Sequence, residues 1–148
     1  MKDQEPTQDL RAYLSGAWSV ERTMRDRGSG RAGTFTGVAL YKPNHDGGLD
    51  YREDGTMEWG DHAGSAYREY VLRPTEDAAA MDMFFPDGRP FHRMGFAATQ
   101  SSDQHWCDPD TYVVHYEWLG PDEFSYVWDV RGPAKDLLLE SRLRRNHA

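Results

Sequence analysis

The sequence contains no isoleucine and only one cysteine, Cys107, in 148 residues. A single cysteine excludes an intrachain disulfide, which fits a reducing compartment. The chain lacks an apolar run of the about 18 residues that a transmembrane helix needs, and the segment MKDQEPTQDL at its start lacks the apolar core of a signal peptide. We therefore expect a cytoplasmic protein with no membrane partner.

Basic residues are missing between Met94 and Val130, a stretch that contains seven acidic residues and no lysine or arginine. The whole chain has a net charge of −8 at pH 7. An acidic surface repels phosphate backbones, so we expect no nucleic-acid partner. The alternative interpretation is that the acidic residues serve only to keep the protein soluble.

The length is that of one ordinary domain, residues 1–148. Residues 5–15 are predicted as a short helix with Thr7 as its N-cap. After the helix, short segments of alternating apolar and polar residues are separated by turn clusters, which predicts about ten strands. These strands are residues 16–24, 34–42, 49–53, 56–60, 65–73, 80–85, 89–97, 111–118, 124–130 and 136–144.

The turns between these segments are short. Asp54-Gly55 has the composition of a two-residue hairpin turn, and Gly88 supplies the positive φ that a turn at Pro86-Asp87-Gly88 needs. Residues 65–73 are ambiguous between strand and helix, although their tyrosines and valine favour a strand. Many short strands with little helix predict a β-sandwich or an up-and-down barrel.

Aromatic residues on two neighbouring strands favour the barrel. Period-two patterning directs six aromatic rings inward and leaves His115, Glu117, Ser125 and Asp129 outward. The inward rings are those of Tyr112, Tyr116, Trp118, Phe124, Tyr126 and Trp128. Buried Tyr and Trp need hydrogen-bond partners, so this face favours a partly wet interior over an aliphatic sandwich core. A packed core that uses aromatics is the alternative.

Gly16-Ala17-Trp18, which follows the short helix and opens the first strand, resembles the lipocalin Gly-x-Trp signature. In that superfamily the Trp closes one barrel end and packs against an Arg of the last strand. Arg142 and Arg144 occupy the corresponding part of this chain. The resemblance implies an all-β, antiparallel, up-and-down lipocalin-like (calycin) β-barrel of about 8–10 strands with a short N-terminal helix.

A second resemblance covers nearly the whole chain. It is to a small family of uncharacterised bacterial and fungal proteins, known as a domain of unknown function with a calycin-type barrel. The residues that carry it are GAWSVER at 16–22, DGRPFH at 87–92, HWCDPDTY at 105–112 and WDVRGPAKD at 128–136. The resemblance implies a fold and leaves the activity open.

Ionisable residues also fall on inward faces: Arg22 beside Trp18, Glu53 beside Tyr51, and His92 beside Met94. A buried charge is costly unless it is paired, so Arg22 and Glu53 could face each other across the interior. One interpretation is a salt bridge that fills the barrel. The other is a site in which Arg22 orients an anionic ligand group and Glu53, with a pKa raised by burial, acts as an acid or base.

A metal site is a weak alternative. His92, His105 and Cys107 are suitable ligand types, but no recognised metal-binding spacing is present. Asp108-Pro109-Asp110 is better explained as a turn held by its two Asp side chains. Lys135 lies in the loop before the last strand, where it could attract an anionic substrate or solvate a turn.

Three functional hypotheses follow. The first is binding, without a cofactor, of a small aromatic or amphipathic molecule with an anionic or carbonyl group, in a cavity lined by Tyr51, Tyr116, Trp118, Tyr126, Trp128 and Lys135. The second is a cofactor-independent acid–base enzyme, such as a lyase, isomerase or cyclase, with Glu53, His92, Arg22 and Tyr112 as candidate catalytic residues. The third is haem or metal binding through His92 or His105. The expected partner is a small-molecule ligand, and a homodimer is compatible with the sequence.

Overall fold

The computed structural model describes residues 9–97 and 102–147. These residues form one short helix and ten strands, all of them antiparallel to their neighbours. The elements are α1 (Leu10–Leu14), β1 (Gly16–Asp26), β2 (Ala32–Pro43), β3 (Leu49–Trp59), β4 (His62–Pro74), β5 (Ala80–Phe84), β6 (Pro90–Gly95), β7 (Ser102–Cys107), β8 (Asp110–Gly120), β9 (Glu123–Arg131) and β10 (Asp136–Arg145).

The strands form a single sheet in the order β6-β5-β4-β3-β2-β1-β10-β9-β8-β7. The sheet curls until its two edges, β6 and β7, meet. There the backbone N–H of Arg93 donates to the carboxylate of Asp103 at 2.6 Å, and β6 and β7 share no ladder in the sheet. The result is a nearly closed antiparallel barrel, which confirms the predicted lipocalin-like fold.

The helix α1 covers one end of the barrel, called here the closed end. Its residues Leu10 and Leu14 are fully buried, and the hydroxyl of its Tyr13 donates to the Gly120 carbonyl at 2.7 Å. Its N-cap is Asp9, whose carboxylate accepts from the Ala12 N–H at 3.1 Å. The helix therefore begins later than the sequence predicts, and the expected N-cap Thr7 lies outside the described residues. The hairpin turns at 27–31, 60–61, 85–89, 108–109 and 132–135 surround the opposite, open end.

Trp18 is fully buried at the closed end, where the guanidinium of Arg145 lies 4.3 Å from its ring centroid. The sequence prediction placed Arg142 or Arg144 against this ring, and that was wrong. Trp18 pairs directly with Arg145 in the β1–β10 register, so these two side chains share a face. Arg142 and Arg144 point outward, where both form ion pairs with Glu123.

The alternation on β8 and β9 agrees with the predicted register. Val114, Tyr116, Phe124, Tyr126, Trp128 and Val130 are buried, whereas Val113, His115 and Glu117 are exposed. Residues 65–73 lie within a strand, β4, as their composition favoured. Within the described residues, no helix is long and apolar enough to cross a membrane.

Two segments differ from the sequence prediction. Residues 102–107 form β7, which was missed because both of its faces are partly exposed and its apolar pattern is weak. Asp54-Gly55 is not a hairpin turn, because β3 runs straight through it. Gly55 pairs with Gly37 of β2, and a Cβ at Gly55 would lie 2.3 Å from the Thr36 carbonyl oxygen and 2.7 Å from the Gly37 Cα. Glycine is needed at this position because the two strands approach closely, and not because the backbone has a positive φ.

Gly55→Ala should therefore destabilise the barrel by about 1–3 kcal/mol, since the new methyl group meets backbone that cannot turn aside. Gly64→Ala is the matched control, because Gly64 lies on the neighbouring strand β4 and a Cβ there meets no atom within 4 Å. We expect the control to be neutral or slightly stabilising in urea unfolding. Equal stability of the two variants would contradict the close-approach explanation.

Candidate functional site

The barrel interior holds a buried ion pair between Arg22 on β1 and Glu53 on β3. Arg22 is 5% exposed and Glu53 is 2% exposed. The guanidinium binds the carboxylate in two places, with Nη1 2.7 Å from Oε2 and Nη2 3.0 Å from Oε1. This confirms the predicted contact of the two residues across the interior.

Neighbouring side chains complete a network around the pair. Arg22 donates from Nε to the Ser141 hydroxyl at 2.7 Å and from Nη2 to the Tyr126 hydroxyl at 2.9 Å. The Tyr51 hydroxyl donates to Glu53 Oε1, and Nε of Arg68 lies 2.9 Å from Glu53 Oε2 in poor alignment for a hydrogen bond. Each carboxylate oxygen therefore has two polar neighbours.

The expectation of a raised pKa at Glu53 was wrong. Burial raises the pKa of this carboxyl, but the hydrogen bond from Arg22 and the charges of Arg68 and Arg22 together outweigh it, and the pKa lies below its usual value. Glu53 is thus ionised at neutral pH and bound by cations. This arrangement stabilises a fixed carboxylate.

His92 on β6 pairs with Tyr116 on β8 across the barrel. The two groups lie 2.7 Å apart, from His92 Nε2 to the Tyr116 hydroxyl. Burial lowers the pKa of His92 to about 4 and raises that of Tyr116 well above its usual value, so both side chains are neutral at pH 7. His92 is 7% exposed, and its Nδ1 is buried without a hydrogen-bond partner among the described residues.

Two volumes lie along the barrel axis. The inner cavity, of about 20 Å³, separates the Glu53 network from the His92–Tyr116 pair and is lined by Tyr51, Arg68, His92, Tyr116 and Tyr126 among others. The mouth pocket, of about 270 Å³, opens at the open end. Arg68, Tyr70, Phe91 and Trp128 line both volumes, so only side chains separate them.

Stacked rings form the wall of the mouth pocket. Phe91 lies between Phe85 and Trp128, with centroid separations of 4.6 Å and 5.0 Å, and is parallel to the Trp128 ring. His105 meets Phe91 edge-on at 5.3 Å. Phe85 is the first residue of the turn at 85–89 and Phe91 lies just after that turn on β6, while Trp128 is inward on β9 by its period-two position. The pocket thus presents flat apolar surfaces to solvent.

Arg68 is the cation of this pocket, and it was not predicted from the sequence. Its side chain is 33% exposed, and its guanidinium carbon lies 5.8 Å from the Tyr70 ring centroid. Its Nε lies 2.9 Å from Glu53 Oε2, and its terminal amino groups make no hydrogen bond within the described residues. Period-two patterning in β4 would have placed Arg68 on the inward face with Tyr70 and Leu72.

The remaining predicted site residues, the candidate catalytic residue Tyr112 among them, lie in different places. Tyr112 lines the mouth pocket, whereas Trp118 lies opposite Phe124 toward the closed end and lines neither volume. Lys135 lies at the rim, with Nζ 3.2 Å from the Tyr112 hydroxyl and 3.3 Å from Asp110 Oδ2. The predicted aromatic lining is therefore split into two small volumes.

The geometry does not favour the metal and haem alternatives. Across residues 9–97 and 102–147, no group of three or more His, Cys, Asp or Glu side chains is arranged to hold a metal ion. His105 and Cys107 line the mouth pocket, while His92 lies by the inner cavity with Nε2 held by Tyr116. A volume of about 20 Å³ beside His92 has no room for a haem.

Solved structures of similar shape support the fold. The S-type phycobiliprotein lyase CPES from Guillardia theta matches with a TM-score of 0.67 at 7% identity, over 99% of this chain and 96% of the lyase. A protein of unknown function from the DUF3598 family of Nostoc punctiforme matches with a TM-score of 0.58 at 8% identity, over 96% of this chain and 51% of the other. EF1p2_mFAP2b, solved bound to DFHBI, matches with a TM-score of 0.53 at 14% identity, over 95% of this chain and 100% of the other.

At these identities the structural likeness shows a common fold and nothing more. No match was found among the curated proteins. A family model described as "Family of unknown function (DUF6314)" matches residues 14–145, nearly the whole chain. That match covers all four sequence segments on which the family resemblance rested, so the chain belongs to the DUF6314 family of unknown function.

Proposed function

We propose that the protein binds a small aromatic molecule with an anionic group, whose rings lie in the mouth pocket and whose anionic group pairs with Arg68. One observation carries the proposal: Arg68 lines an aromatic pocket, and its terminal amino groups make no hydrogen bond to the described residues. A guanidinium in such a place is a ready donor to an oxyanion.

The charge of the interior supports an anionic ligand. Arg22 and Arg68 both lie against Glu53, so two guanidinium groups share one carboxylate. Arg22 already uses Nε, Nη1 and Nη2 on Glu53, Ser141 and Tyr126, which leaves Arg68 to meet the ligand. The expectation that Arg22 itself orients the anion is replaced by this assignment. A ligand anion would balance the excess positive charge.

The size and chemistry of the mouth pocket support a ligand of one or two rings. Its volume of about 270 Å³ is just below the range of roughly 300–1,000 Å³ for small-molecule sites, which fits a small ligand. Its walls are the faces and edges of Tyr70, Phe85, Phe91, Tyr112 and Trp128. Offset stacking on such rings favours planar aromatic molecules over flexible aliphatic ones.

The descriptions of two structural neighbours are compatible with this proposal. One was solved bound to DFHBI, and another is described as a phycobiliprotein lyase. Barrels of this shape therefore include both a ligand-bound protein and an enzyme. For this chain, the side chains of the barrel interior decide between binding and catalysis.

The titratable groups favour binding over acid–base catalysis. An efficient acid or base has a pKa near the working pH. Within the interior, the pKa of Glu53 lies below its usual value, that of His92 is lowered to about 4, and that of Tyr116 is raised. Glu53, His92 and Tyr116 are thus each held in a single protonation state at neutral pH, which suits recognition.

The proposal predicts a charge-specific effect of Arg68. In calorimetric titration, Arg68→Gln should weaken 2-naphthoate binding about tenfold or more, because a charge-assisted hydrogen bond contributes about 1.5–3 kcal/mol. Binding of the uncharged 2-ethylnaphthalene, followed by tryptophan fluorescence, should change less than twofold. Arg52→Gln is the matched control, since Arg52 is an exposed arginine on the outer face of the adjacent strand β3.

Thermal melting of each variant accompanies these titrations, because Arg68 also touches Glu53. The proposal fails if 2-naphthoate does not bind the wild-type protein. It also fails if Arg68→Gln weakens both probes equally while remaining folded, since the loss would then not depend on the ligand's charge.

A further inference from the structure

The outer end of the mouth pocket carries two polar rings, His105 on β7 and Tyr112 on β8, called here the rim pair. They are direct partners in the β7–β8 ladder, their ring centroids are 6.1 Å apart, and both line the pocket. Each is three residues from the hairpin turn at 108–109, which belongs to the open end. Neither residue lines the inner cavity, so the rim pair marks the solvent side of the pocket.

Both members of the rim pair have hydrogen-bonding atoms that the described part of the chain does not use. The half-buried ring of His105 makes no hydrogen bond within residues 9–97 and 102–147, and in its neutral form it offers one N–H donor and one nitrogen acceptor. The Tyr112 hydroxyl accepts from Lys135 Nζ at 3.2 Å, and its own proton meets no acceptor among the described residues. The rim pair therefore has unused donors and an unused acceptor beside the pocket.

The two ends of the mouth pocket differ in charge. At the rim, Lys135 Nζ lies 3.3 Å from Asp110 Oδ2, so the charge of this lysine is already paired. Arg68 lies at the other end, because it lines the inner cavity as well as the pocket. It shares the carboxylate of Glu53 with Arg22, and its terminal amino groups make no hydrogen bond within the described residues. The inner end therefore attracts an anionic group, and the rim suits a neutral polar group.

We infer that the ligand is a hydroxyaryl acid that binds with its acid group on Arg68 and its hydroxyl, at the far end of the rings, between His105 and Tyr112. This inference rests on the proposed function and adds a second polar group and the direction of binding. A hydroxyl suits the rim pair because it donates and accepts at once. A carbonyl oxygen only accepts and an ammonium only donates, so each would leave part of the rim pair unused.

The length of the pocket wall fits a ligand of two fused rings. Tyr112 and Tyr116, which lines the inner cavity with Arg68, are four residues apart on β8. Four residues of strand cover about 13 Å. Trp128 pairs with Val114, midway between the two tyrosines, and its ring lines the pocket. A naphthalene with the acid and the hydroxyl at its opposite ends therefore fits along this wall.

The test compares 6-hydroxy-2-naphthoate with 6-methyl-2-naphthoate by calorimetric titration. These acids differ only in the group that reaches the rim pair, and the methyl group takes up about the same space as the hydroxyl without forming hydrogen bonds. The wild-type protein should bind the hydroxy acid about five- to tenfold more tightly, which is the effect of one or two neutral hydrogen bonds.

Variants of the rim pair should remove this preference. His105→Phe and Tyr112→Phe should each lower the ratio of the two affinities, and the double variant should abolish the preference, while each keeps an aromatic ring in the pocket wall. The ratio compares two ligands on one protein, so a general loss of affinity does not change it. His115→Phe and Tyr67→Phe are the matched controls, because both residues are exposed on the outer faces of β8 and β4.

The direction of binding can be measured without a variant. In intermolecular NOE spectra of the wild-type protein with 6-hydroxy-2-naphthoate, the ligand protons next to the hydroxyl should lie close to the ring protons of His105 and Tyr112. The ligand protons next to the carboxylate should lie close to the side-chain protons of Arg68. The reverse orientation would overturn the inference.

The titrations separate this inference from the proposed function. If the wild-type protein binds the two acids equally and both bind less tightly to Arg68→Gln, the inference is wrong and the proposed function stands. A preference for the hydroxy acid that persists in the double variant also overturns the inference, since the hydroxyl is then bound elsewhere. If neither acid binds, the proposed function is wrong and the inference fails with it.

Discussion

Glu53→Gln should lower the free energy of unfolding by about 3–5 kcal/mol, because the change leaves two buried guanidinium groups without their carboxylate. Arg22 and Arg68 lie 2.7 Å and 2.9 Å from Glu53, whose side chain is 2% exposed. Gln can still accept from one of them, but it carries no charge. For a chain of this length, the loss corresponds to a melting temperature lower by roughly 10 °C.

The ion pairs of Glu53 also predict how the free energy of unfolding depends on pH. The pKa of Glu53 in the folded protein is lower than in the unfolded chain, so its ionised form favours folding. This contribution is fully present above the unfolded pKa of about 4.3, and it is lost as the pH falls through the lower folded value. The difference in stability between wild type and Glu53→Gln should therefore be constant from neutral pH down to about 5 and shrink below it.

Asp54→Asn is the control for this prediction. Asp54 is the next residue on β3 and forms an exposed ion pair with Arg52 at 2.8 Å, which contributes little to stability because solvent screens it. Urea unfolding between pH 3 and 7 measures all three proteins. A Glu53→Gln variant as stable as Asp54→Asn at pH 7 would show that the buried network does not stabilise the barrel.

Trp18→Ala should destabilise the protein by about 3–5 kcal/mol, as for other large-to-small changes in a core. Trp18 is fully buried, and its ring packs against Tyr13 and Phe124 at centroid distances of 5.4 Å and 4.9 Å. Its indole N–H also donates to the Leu14 carbonyl at 2.8 Å, which links the first strand to helix α1.

Trp106→Ala provides the comparison, because Trp106 is 61% exposed on the outer face of β7. We expect that change to stay within about 0.5 kcal/mol of wild type. Guanidinium unfolding followed by far-ultraviolet circular dichroism measures both variants without relying on the tryptophan signal. Similar losses in the two variants would contradict the assignment of Trp18 as a core residue of the closed end.

Patterns with a strict period were predictable from the sequence, and contacts that depend on register were not. The alternation on β8 and β9 identified the buried rings of Tyr116, Tyr126 and Trp128, because each inward residue is two positions from the next. The partner of Trp18 was missed because pairing of β1 with β10 is set by the whole sheet. A shift of one residue exchanges Arg144 for Arg145 and moves the side chain to the other face.

The candidate site shows the same limit. The contact between Arg22 and Glu53 followed from the cost of burying an unpaired charge, but the pKa of Glu53 depends on a second cation, Arg68, from another strand. Arg68 was overlooked because residues 65–73 were ambiguous between helix and strand, and no inward face was assigned to them. Gly55 was misassigned because Asp-Gly has the composition of a turn, whereas the close approach becomes visible only from the pairing of β2 with β3.

The gap between β6 and β7 has a consequence for the order in which the barrel assembles. Among the described strands, every ladder but one joins consecutive strands through a local hairpin, and the exception pairs β1 with β10. The chain therefore folds as two meanders, β1–β6 and β7–β10, whose joining requires closure of a loop nearly as long as the chain. Because loop closure has to precede the contacts that offset its entropy, the β1–β10 pairing is expected to form late and to limit the folding rate.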